Sequence, residues 1–143
     1  MNIVRHILEV KGKDVWSVRP DNTVFEALEL MAKHDIGAVL VMDCDKLVGV
    51  LSERDYARKV ILKGRASKDT KVSDIMSITP FEIHPDQTID EAGSLMGAKG
   101  VRHLPVVEDG KVLGVLSIMD VVRAIIKRQR DTIKFYEDLE LDR

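Results

Sequence analysis

The sequence predicts a protein of the α/β (α+β) class, built from two tandem β-α-β-β-α repeats related by a pseudo-two-fold axis. When residues 14–61 are shifted forward by 65 positions they align with residues 79–126 without a gap, and 16 of the 48 pairs are identical. The run Gly-Val-Leu-Ser recurs at 49–52 and at 114–117. A period of this kind indicates one supersecondary unit used twice. Differences between the two copies are therefore evidence about function.

Local patterns predict each element of the first repeat. Thr23 and Glu26 have the spacing of a capping box, and the residues that follow are apolar at helical intervals. Residues 38–42 are all apolar, which is typical of a strand covered on both faces. The patterns predict a strand at 15–18, a helix from Thr23 to the break at Asp35, a hairpin of strands at 38–42 and 47–51, and a helix from Ser52 to Gly64.

The second repeat copies this order. The predicted elements are a strand at 81–83, a helix that begins at Thr88, and strands at 101–107 and 112–116 around the turn residues Asp109 and Gly110. One further similarity lies outside the strict period of 65 residues. Val4-x-x-Ile7-Leu8 resembles Val72-x-x-Ile75-Met76 at a spacing of 68. Each repeat therefore has its own lead-in turn. We divide the chain into a lead-in and first repeat (1–63), a linker (64–71), a second repeat (72–127) and a helical extension (128–143).

Composition narrows the function classes. The chain has 143 residues, which fits one compact domain of ordinary size, and a net charge of −2, which gives no basic face for nucleic acid. The single cysteine, Cys44, excludes an internal disulfide framework. No apolar run approaches the roughly 20 residues that a membrane helix needs. We therefore expect a cytoplasmic protein with neither nucleic acid nor a membrane as its partner.

Two short motifs resemble a known family. Residues 49–55 and 114–120 both match the pattern G-h-h-[ST]-x-x-D, where h is apolar, which is typical of the CBS domain. Residues 72–76 are similar to the lead-in that opens CBS repeats, and residues 102–107 are similar to the central strand. The resemblance covers the chain from about Val4 to Ile126. It implies a stand-alone CBS pair, also called a Bateman module.

The resemblance also implies a ligand and a role. CBS pairs bind adenosine compounds such as AMP, ADP, ATP, NAD, NADH or S-adenosylmethionine in the cleft between repeats, and they regulate other proteins. It further implies a homodimer arranged as a disc of four repeats, and a regulated partner outside this chain. The candidate nucleotide-binding residues are Ala38, Val39, Ser52, Arg54, Asp55, Arg58, Thr79, Pro80, Arg102, His103, Leu104, Pro105, Ser117, Met119 and Asp120.

The chemistry of these residues agrees with the implied ligand. A serine at the start of a helix lies where unpaired N–H groups and the helix dipole favour an anion such as phosphate. An ionised aspartate three residues later accepts hydrogen bonds only, which suits the hydroxyls of a ribose. Arginines suit phosphate, and apolar strand residues together with the unpaired backbone at Pro105 suit adenine. However, Ser-x-x-Asp is also an ordinary capping motif, and the two roles are compatible.

The two copies differ where a ligand would bind. The first has Gly37-Ala38-Val39-Leu40 where the second has Arg102-His103-Leu104-Pro105, and it has Glu53-Arg54 where the second has Ile118-Met119. These differences predict two unequal sites, with no indication of which binds more strongly.

Other functions are weaker hypotheses. The chain contains no dinucleotide fingerprint, Walker loop, zinc-protease motif or nucleophile elbow, so we do not expect an enzyme. The four histidines show no metal-ligand spacing, so we expect no metal. The main alternative is a ligand-free CBS scaffold that acts only in dimerisation or protein–protein interaction.

Overall fold

The structure, a computed structural model, describes residues 2–12, 14–78 and 81–141. These residues form two compact units. The first-repeat unit consists of Asp14–Phe81, and the second-repeat unit combines Met1–Lys13 with Glu82–Arg143. The repeat boundaries drawn from the sequence follow the period of the chain, whereas these units follow packing. The two divisions differ in the lead-in segments, because residues 1–13 belong to the second-repeat unit and residues 72–76 to the first-repeat unit.

The first-repeat unit is a three-stranded sheet with helices around it. Strand β2 pairs in parallel with β1 and antiparallel with β3, with Ala38 opposite Ser52 and Val41 opposite Gly49. A register shift follows Val41. The elements in chain order are β1 (Ser17–Val18), α2 (Val24–His34), β2 (Ala38–Asp43), β3 (Lys46–Ser52), α3 (Glu53–Tyr56), a π-helical turn (Ala57–Ile61), a 3-10 turn (Ser67–Asp69) and α4 (Val72–Ile75).

The second-repeat unit repeats this arrangement with small changes. Its hairpin has the same register, with His103 opposite Ser117 and a shift after Val106, the position aligned with Val41. The strand predicted at 81–83 is reduced to a parallel bridge between Ile83 and Val106. The elements are α1 (Val4–Lys11), α5 (Ile89–Lys99), β4 (His103–Glu108), β5 (Lys111–Ser117) and α6 (Ile118–Leu141).

Each lead-in segment packs with the other repeat and not with the repeat that follows it in the sequence. In the second-repeat unit the Val4 N–H donates to the Gln87 carbonyl at 2.9 Å, and Arg5 N–H donates to the Pro85 carbonyl at 2.8 Å. In the first-repeat unit the same bonds run from Val72 to Asn22 and from Ser73 to Pro20. The partners differ by 68 positions on the lead-in side and by 65 on the repeat side. The two lead-in segments, which begin at Val4 and Val72, are therefore structurally equivalent.

Two aligned glycines, Gly49 and Gly114, leave room for side chains of the lead-in segments. A Cβ atom at Gly114 would lie 2.9 Å from Cδ2 of Leu8, and one at Gly49 would lie 2.9 Å from both Sδ of Met76 and the Ser77 carbonyl oxygen. Real Cβ contacts of this length essentially do not occur. The glycine of the recurrent motif therefore permits the close approach of the lead-in segment.

Both units have an apolar core, as the periodicity predicts. Val24, Ala27 and Met31 form the buried stripe of α2, and their aligned residues in α5 are buried as well. In the first-repeat unit this stripe joins one cluster with buried residues of β1–β3 and of α4. Among the described residues, no helix combines the length and apolar composition that crossing a bilayer requires.

The prediction of two tandem α+β repeats is confirmed. The helix expected from Ser52 to Gly64 begins at the predicted place, but it is α-helical only to Tyr56 and continues as a π-helical turn. The extension expected after the second repeat is the continuous helix α6, which ends at Leu141.

Candidate functional site

Ser52 and Asp55 form a closed capping box at the start of α3. The Ser52 N–H and hydroxyl both donate to Oδ2 of Asp55 at 3.0 Å, and the Asp55 N–H donates back to Ser52 Oγ at 3.1 Å. The box begins the helix because it pairs N–H groups that the first helical turn leaves without partners. The Asp55 side chain is only 14% exposed. The alternative capping role of this motif is therefore present in the structure.

The second oxygen of Asp55 is also occupied. Ser77, which follows α4, donates its hydroxyl to Oδ1 at 3.0 Å, and Lys59 places its ammonium 3.2 Å away. Ser77 is held there by a bridge to Val50, with two backbone hydrogen bonds of 2.9 and 3.0 Å. A carboxylate offers about four lone-pair sites. Asp55 accepts three hydrogen bonds and has an ammonium 3.2 Å from Oδ1, so a ligand hydroxyl would have to compete with these groups.

Ser117 and Asp120 form the equivalent box at the start of α6. The Ser117 N–H donates to Oδ2 of Asp120 at 2.8 Å, and the Asp120 N–H donates to Ser117 Oγ at 3.1 Å. Lys11, the last residue of α1, donates to the same Oδ2 at 2.8 Å and to the Val115 carbonyl at 2.7 Å. The Ser117 side chain also stabilises the charged form of Asp120.

The second box keeps capacity for a ligand. Oδ1 of Asp120 accepts no hydrogen bond from the described part of the chain, and its nearest cation is Nη1 of Arg123 at 3.8 Å. Lys11 has three ammonium donors and uses two of them on Asp120 and Val115. One carboxylate oxygen and one ammonium proton are therefore available at a single helix start.

Asp120 is ionised over the ordinary pH range. Burial favours its neutral form, but hydrogen bonds from the Lys11 ammonium and the Ser117 N–H outweigh burial, so the pKa of Asp120 lies below its usual value. Its side chain is only 10% exposed. A carboxylate that stays charged while shielded from water is a strong acceptor for hydroxyl groups.

The strand residues proposed for adenine are mostly interior. Leu104 is fully buried, Val39 is 1% exposed and Ala38 is 8% exposed, so their side chains pack within their own units. Pro105 is buried too, and its carbonyl accepts the Ile83 N–H at 2.9 Å. These residues can contribute backbone and shape to a site, but little side-chain surface.

Pro105 nevertheless interrupts the ladder as expected. Its aligned residue, Leu40, donates its N–H to the Trp16 carbonyl at 3.1 Å. Proline has no N–H, so this bond cannot form in the second-repeat unit. The backbone beside β4 therefore differs from that beside β2 at the position proposed for a base.

The remaining candidates lie at the surface or outside the described residues. Arg54, Arg58 and Arg102 are exposed, Met119 is 50% exposed, and His103 is half-buried at the start of β4. The Arg102 carbonyl accepts the first N–H of α6 from Ile118 at 2.9 Å, which fixes the backbone next to the Ser117 box. Thr79 and Pro80 lie outside the residues that the structure describes.

Sequence reasoning missed Lys11 and Ser77. Both follow a lead-in turn, and both reach the aspartate of the box within their own unit. The similarity at a spacing of 68 was the available signal, since it marks the two lead-in segments as equivalent. The two units differ in which residue makes this contact.

A polar cluster elsewhere in the second-repeat unit has the composition of a metal site. Ligand atoms of His84, Asp86 and Glu108 lie within 4.8 Å of one another. The Arg5 guanidinium pairs with Asp86 at 3.0 Å and with Glu108 at 2.9 Å. These hydrogen bonds, first with Glu108 and then with Asp86, raise the pKa of Arg5. The cluster therefore already has a cation from the chain itself, which attaches α1 to its unit.

Comparison with known proteins finds relatives of both repeats. The family model of the CBS domain matches residues 5–62 and 72–127. The chain is 36% identical over 141 residues to the mitochondrial CBS domain-containing protein CBSX3 of Arabidopsis thaliana, covering 92% of this chain and 68% of the relative.

Two solved structures show the same fold. One is a putative signal-transduction protein with CBS domains from Burkholderia ambifaria, with 42% identity, a TM-score of 0.84, and coverage of 89% of this chain and 96% of that one. The other is a CBS-domain-containing protein from Agrobacterium tumefaciens, with 36% identity, a TM-score of 0.80, and coverage of 85% and 98%.

Proposed function

The chain belongs to the CBS-domain family, whose pair modules are generally regulatory and bind ligands, and we propose that it is a regulatory adenine-nucleotide sensor. The ligand is an adenosine compound of the AMP, ADP, ATP, NAD, NADH or S-adenosylmethionine type. The box of Ser117 and Asp120 is its principal site. The chain acts on a separate protein and is not a catalyst.

One observation carries this proposal, namely the difference between the two boxes. Asp55 has four partners, whereas Oδ1 of Asp120 has none within hydrogen-bonding distance in the described structure. A ribose hydroxyl can bond Oδ1 of Asp120 without breaking the cap. The Lys11 ammonium is then available to the negatively charged part of the ligand, where the helix dipole also favours an anion.

A thermal-shift series tests the proposal. The protein is melted at fixed concentration with AMP, ADP, ATP, NAD, NADH or S-adenosylmethionine, since a ligand that binds only the folded state raises the melting temperature. We expect at least one of them to do so. Asp120→Asn should abolish that shift, because an amide nitrogen replaces one acceptor oxygen.

Asp55→Asn is the matched control. It makes the same chemical change at the aligned position, and we expect the ligand shift to persist. Equal losses in both variants would refute the assignment to Asp120 while preserving nucleotide binding. The absence of a shift with every compound in the wild-type protein would refute the sensor itself.

The ligand-free scaffold is the second candidate, and the box of Ser52 and Asp55 favours it. Both oxygens of Asp55 have partners within its own unit, so this motif acts there as a cap. If Asp120 behaved as Asp55 does, both motifs would be structural. The chain would then act through protein contacts alone, and calorimetric titration with the same compounds would show no heat of binding.

Self-association belongs to the same proposal. We expect two copies to form a disc of four repeats through the helices of the repeats, as the family resemblance implies. Sedimentation equilibrium measures this directly, because a dimer has twice the 16.1 kDa mass of the chain. The regulated protein would recognise one ligation state of this assembly better than another, since a ligand shifts an equilibrium only by its differential affinity.

A further inference from the structure

Helix α6 extends beyond the unit that it belongs to. Its first half packs on α5 and β5, and Val121 is buried there. Arg128 pairs with Asp90 at 2.9 Å, and every described residue after it, 129–141, is exposed. This segment is about 20 Å long. A helix of this length without packing is marginally stable in water, so its sequence should show what covers it.

The exposed segment continues the apolar face of the first half. Ile125 is followed on the same side of the helix by Thr132, Tyr136 and Leu139, at helical spacing. Tyr136 is 63% exposed and Leu139 is 48% exposed, and the adjacent Phe135 is 60% exposed. The face of α6 that packs on the unit in the first half of the helix is therefore exposed to solvent in the second half.

A groove lies between this face and α1. It has a volume of about 690 Å³, with Ile7 and Val10 on one side and Phe135 and Tyr136 on the other. Val10 is 88% exposed, which is unusual for a valine on a helix. The floor and rim nearest to the start of α6 are rich in cations, namely Lys11, Arg123, Lys127 and Arg128, with Asp120 and Asp131 as the acidic residues.

Charge along α6 indicates the occupant. Residues 118–130 contain four basic residues and one acidic residue, whereas residues 131–141 contain four acidic residues and one basic residue. Two parallel copies of this helix would place like charges side by side. Two antiparallel copies would place the acidic end of each beside the basic half of the other, and complementary charge favours that arrangement.

We propose that the groove is occupied by α6 of a second copy of this chain, packed antiparallel to the first. The apolar residues Phe135, Tyr136 and Leu139 of each copy enter the groove of the other. The acidic residues Glu137, Asp138 and Glu140 meet the basic rim. This surface deepens the self-association proposed above by adding the C-terminal half of α6 to the interface.

The first test measures mass and dissociation constant by sedimentation equilibrium. Tyr136→Asp places a carboxylate in the interface, and we expect it to weaken dimerisation by about tenfold or more, which corresponds to about 1.4 kcal/mol. Ile78→Asp is the control, because Ile78 is 79% exposed and lies outside the helices and strands of the first-repeat unit. It should leave the dissociation constant unchanged. Melting curves check that both variants are folded.

The second test reverses charges. Glu137→Lys together with Glu140→Lys should weaken the dimer, because basic ends would then meet basic rims. Adding Lys127→Glu and Arg130→Glu to the same chain should restore it. A parallel pair would respond differently, since the doubly reversed chain would still oppose like charges.

The third test determines orientation by cross-linking. In a Cys44→Ser background, chains carrying Lys127→Cys are mixed with chains carrying Glu137→Cys under oxidising conditions. Antiparallel packing should give more mixed disulfide than same-position disulfide.

Three results would overturn the proposal. A wild-type chain that is monomeric up to millimolar concentration would leave the groove for some other partner. A dimer unaffected by Tyr136→Asp would show that the copies meet elsewhere, for example through the repeat helices alone, and the disc would survive. A prevalence of same-position disulfide would show parallel packing. Nucleotide binding is judged separately, by the thermal shift of Asp120→Asn against Asp55→Asn, although Asp120 and Lys11 also line the groove.

Discussion

The boxes that begin α3 and α6 share their sequence motif and their capping geometry, but they differ in the residue that the lead-in segment brings to the aspartate. In the first-repeat unit, α4 ends at Ile75, and the extended chain after it places a neutral hydroxyl, that of Ser77, on Asp55. In the second-repeat unit, α1 continues to Lys11, which places an ammonium on Asp120.

The difference arises from helix length. The first lead-in has three more residues than the second before the next repeat begins, and these residues are close to one helical turn. They prolong α1 instead of forming an extended bridge such as the one between Ser77 and Val50. A short insertion outside the recurrent motif thereby changes the chemistry of the motif. Comparison of the two motifs alone would not reveal it.

The two boxes also differ in the residue four positions after the aspartate. Lys59 reaches Asp55 from one turn later in the helix, but the aligned residue in the second repeat is Ala124. Asp120 therefore receives its hydrogen-bonded cation from outside its helix, with Arg123 of the same helix at 3.8 Å from Oδ1, whereas the cation beside Asp55 comes from within its helix. The first arrangement leaves Oδ1 open, and the second fills it.

The largest effect expected concerns the packing of the lead-in segments. Leu8 is 5% exposed and packs against Gly114, so Leu8→Ala should lower the free energy of unfolding by about 2–5 kcal/mol. Its aligned residue, Met76, is only partly buried, so Met76→Ala should cost less. Urea unfolding measures both. Equal losses would mean that the two lead-ins contribute alike despite their different lengths.

Substitution of the two aligned glycines by alanine should also lower the free energy of unfolding by unequal amounts. A Cβ at Gly49 meets the backbone oxygen of Ser77, which cannot move without breaking its bridge, so Gly49→Ala should cost about 1–3 kcal/mol. A Cβ at Gly114 meets only the end of the Leu8 side chain, so Gly114→Ala should cost less. Gly97→Ala, on the exposed face of α5, has nothing within 4 Å and should stabilise the protein slightly. A greater loss at Gly114 than at Gly49 would contradict this explanation.

Much of the fold could be predicted from the sequence because its patterns are local. Capping boxes at Thr23 and Thr88, the apolar stripe of α2 and the turn at Asp109 act within a few residues, and the structure confirms the helices and hairpins that they predict. The π-helical turn after Tyr56 had no such signal. The short strand at 81–83 was reduced to a bridge, because Pro105 removes one of the bonds that would extend it.

The site was only partly predictable, because its decisive contacts are distant in sequence. Lys11 is 109 positions from Asp120, and Ser77 is 22 positions from Asp55. A single sequence shows the period but not which lead-in packs with which repeat. The apolar strand residues were assigned to a ligand slot, whereas Val39 and Leu104 lie in the core, since an apolar run on a central strand serves both purposes equally well.

An acid titration tests the Lys11 contact. Lys11→Met should lower the free energy of unfolding by about 1 kcal/mol or less at neutral pH, since its ammonium is 40% exposed. The folded-state pKa of Asp120 is depressed, so the stabilisation is present above the ordinary pKa of aspartic acid, about 3.9, and is lost as the pH falls through the lower folded value. The gap between wild type and variant should therefore close in acid.

NMR titration of the Asp120 carboxyl provides the direct measurement. Its pKa should rise in Lys11→Met, because burial then faces fewer opposing hydrogen bonds. A gap in stability that stays constant from neutral to acid pH would show that Lys11 acts through packing and not through charge.

The smallest change tests whether the two boxes can be made alike. Ala124→Lys gives α6 the lysine that α3 has, four residues after the aspartate, and such a pair stabilises a helix by about 0.3–0.5 kcal/mol. Its ammonium can fill Oδ1 of Asp120, so the thermal shift produced by the nucleotide should shrink while the protein itself becomes no less stable. Ala98→Lys, on the exposed face of α5, is the control for added charge. If the nucleotide shift survives Ala124→Lys undiminished, the open carboxylate oxygen is not what distinguishes the second box from the first.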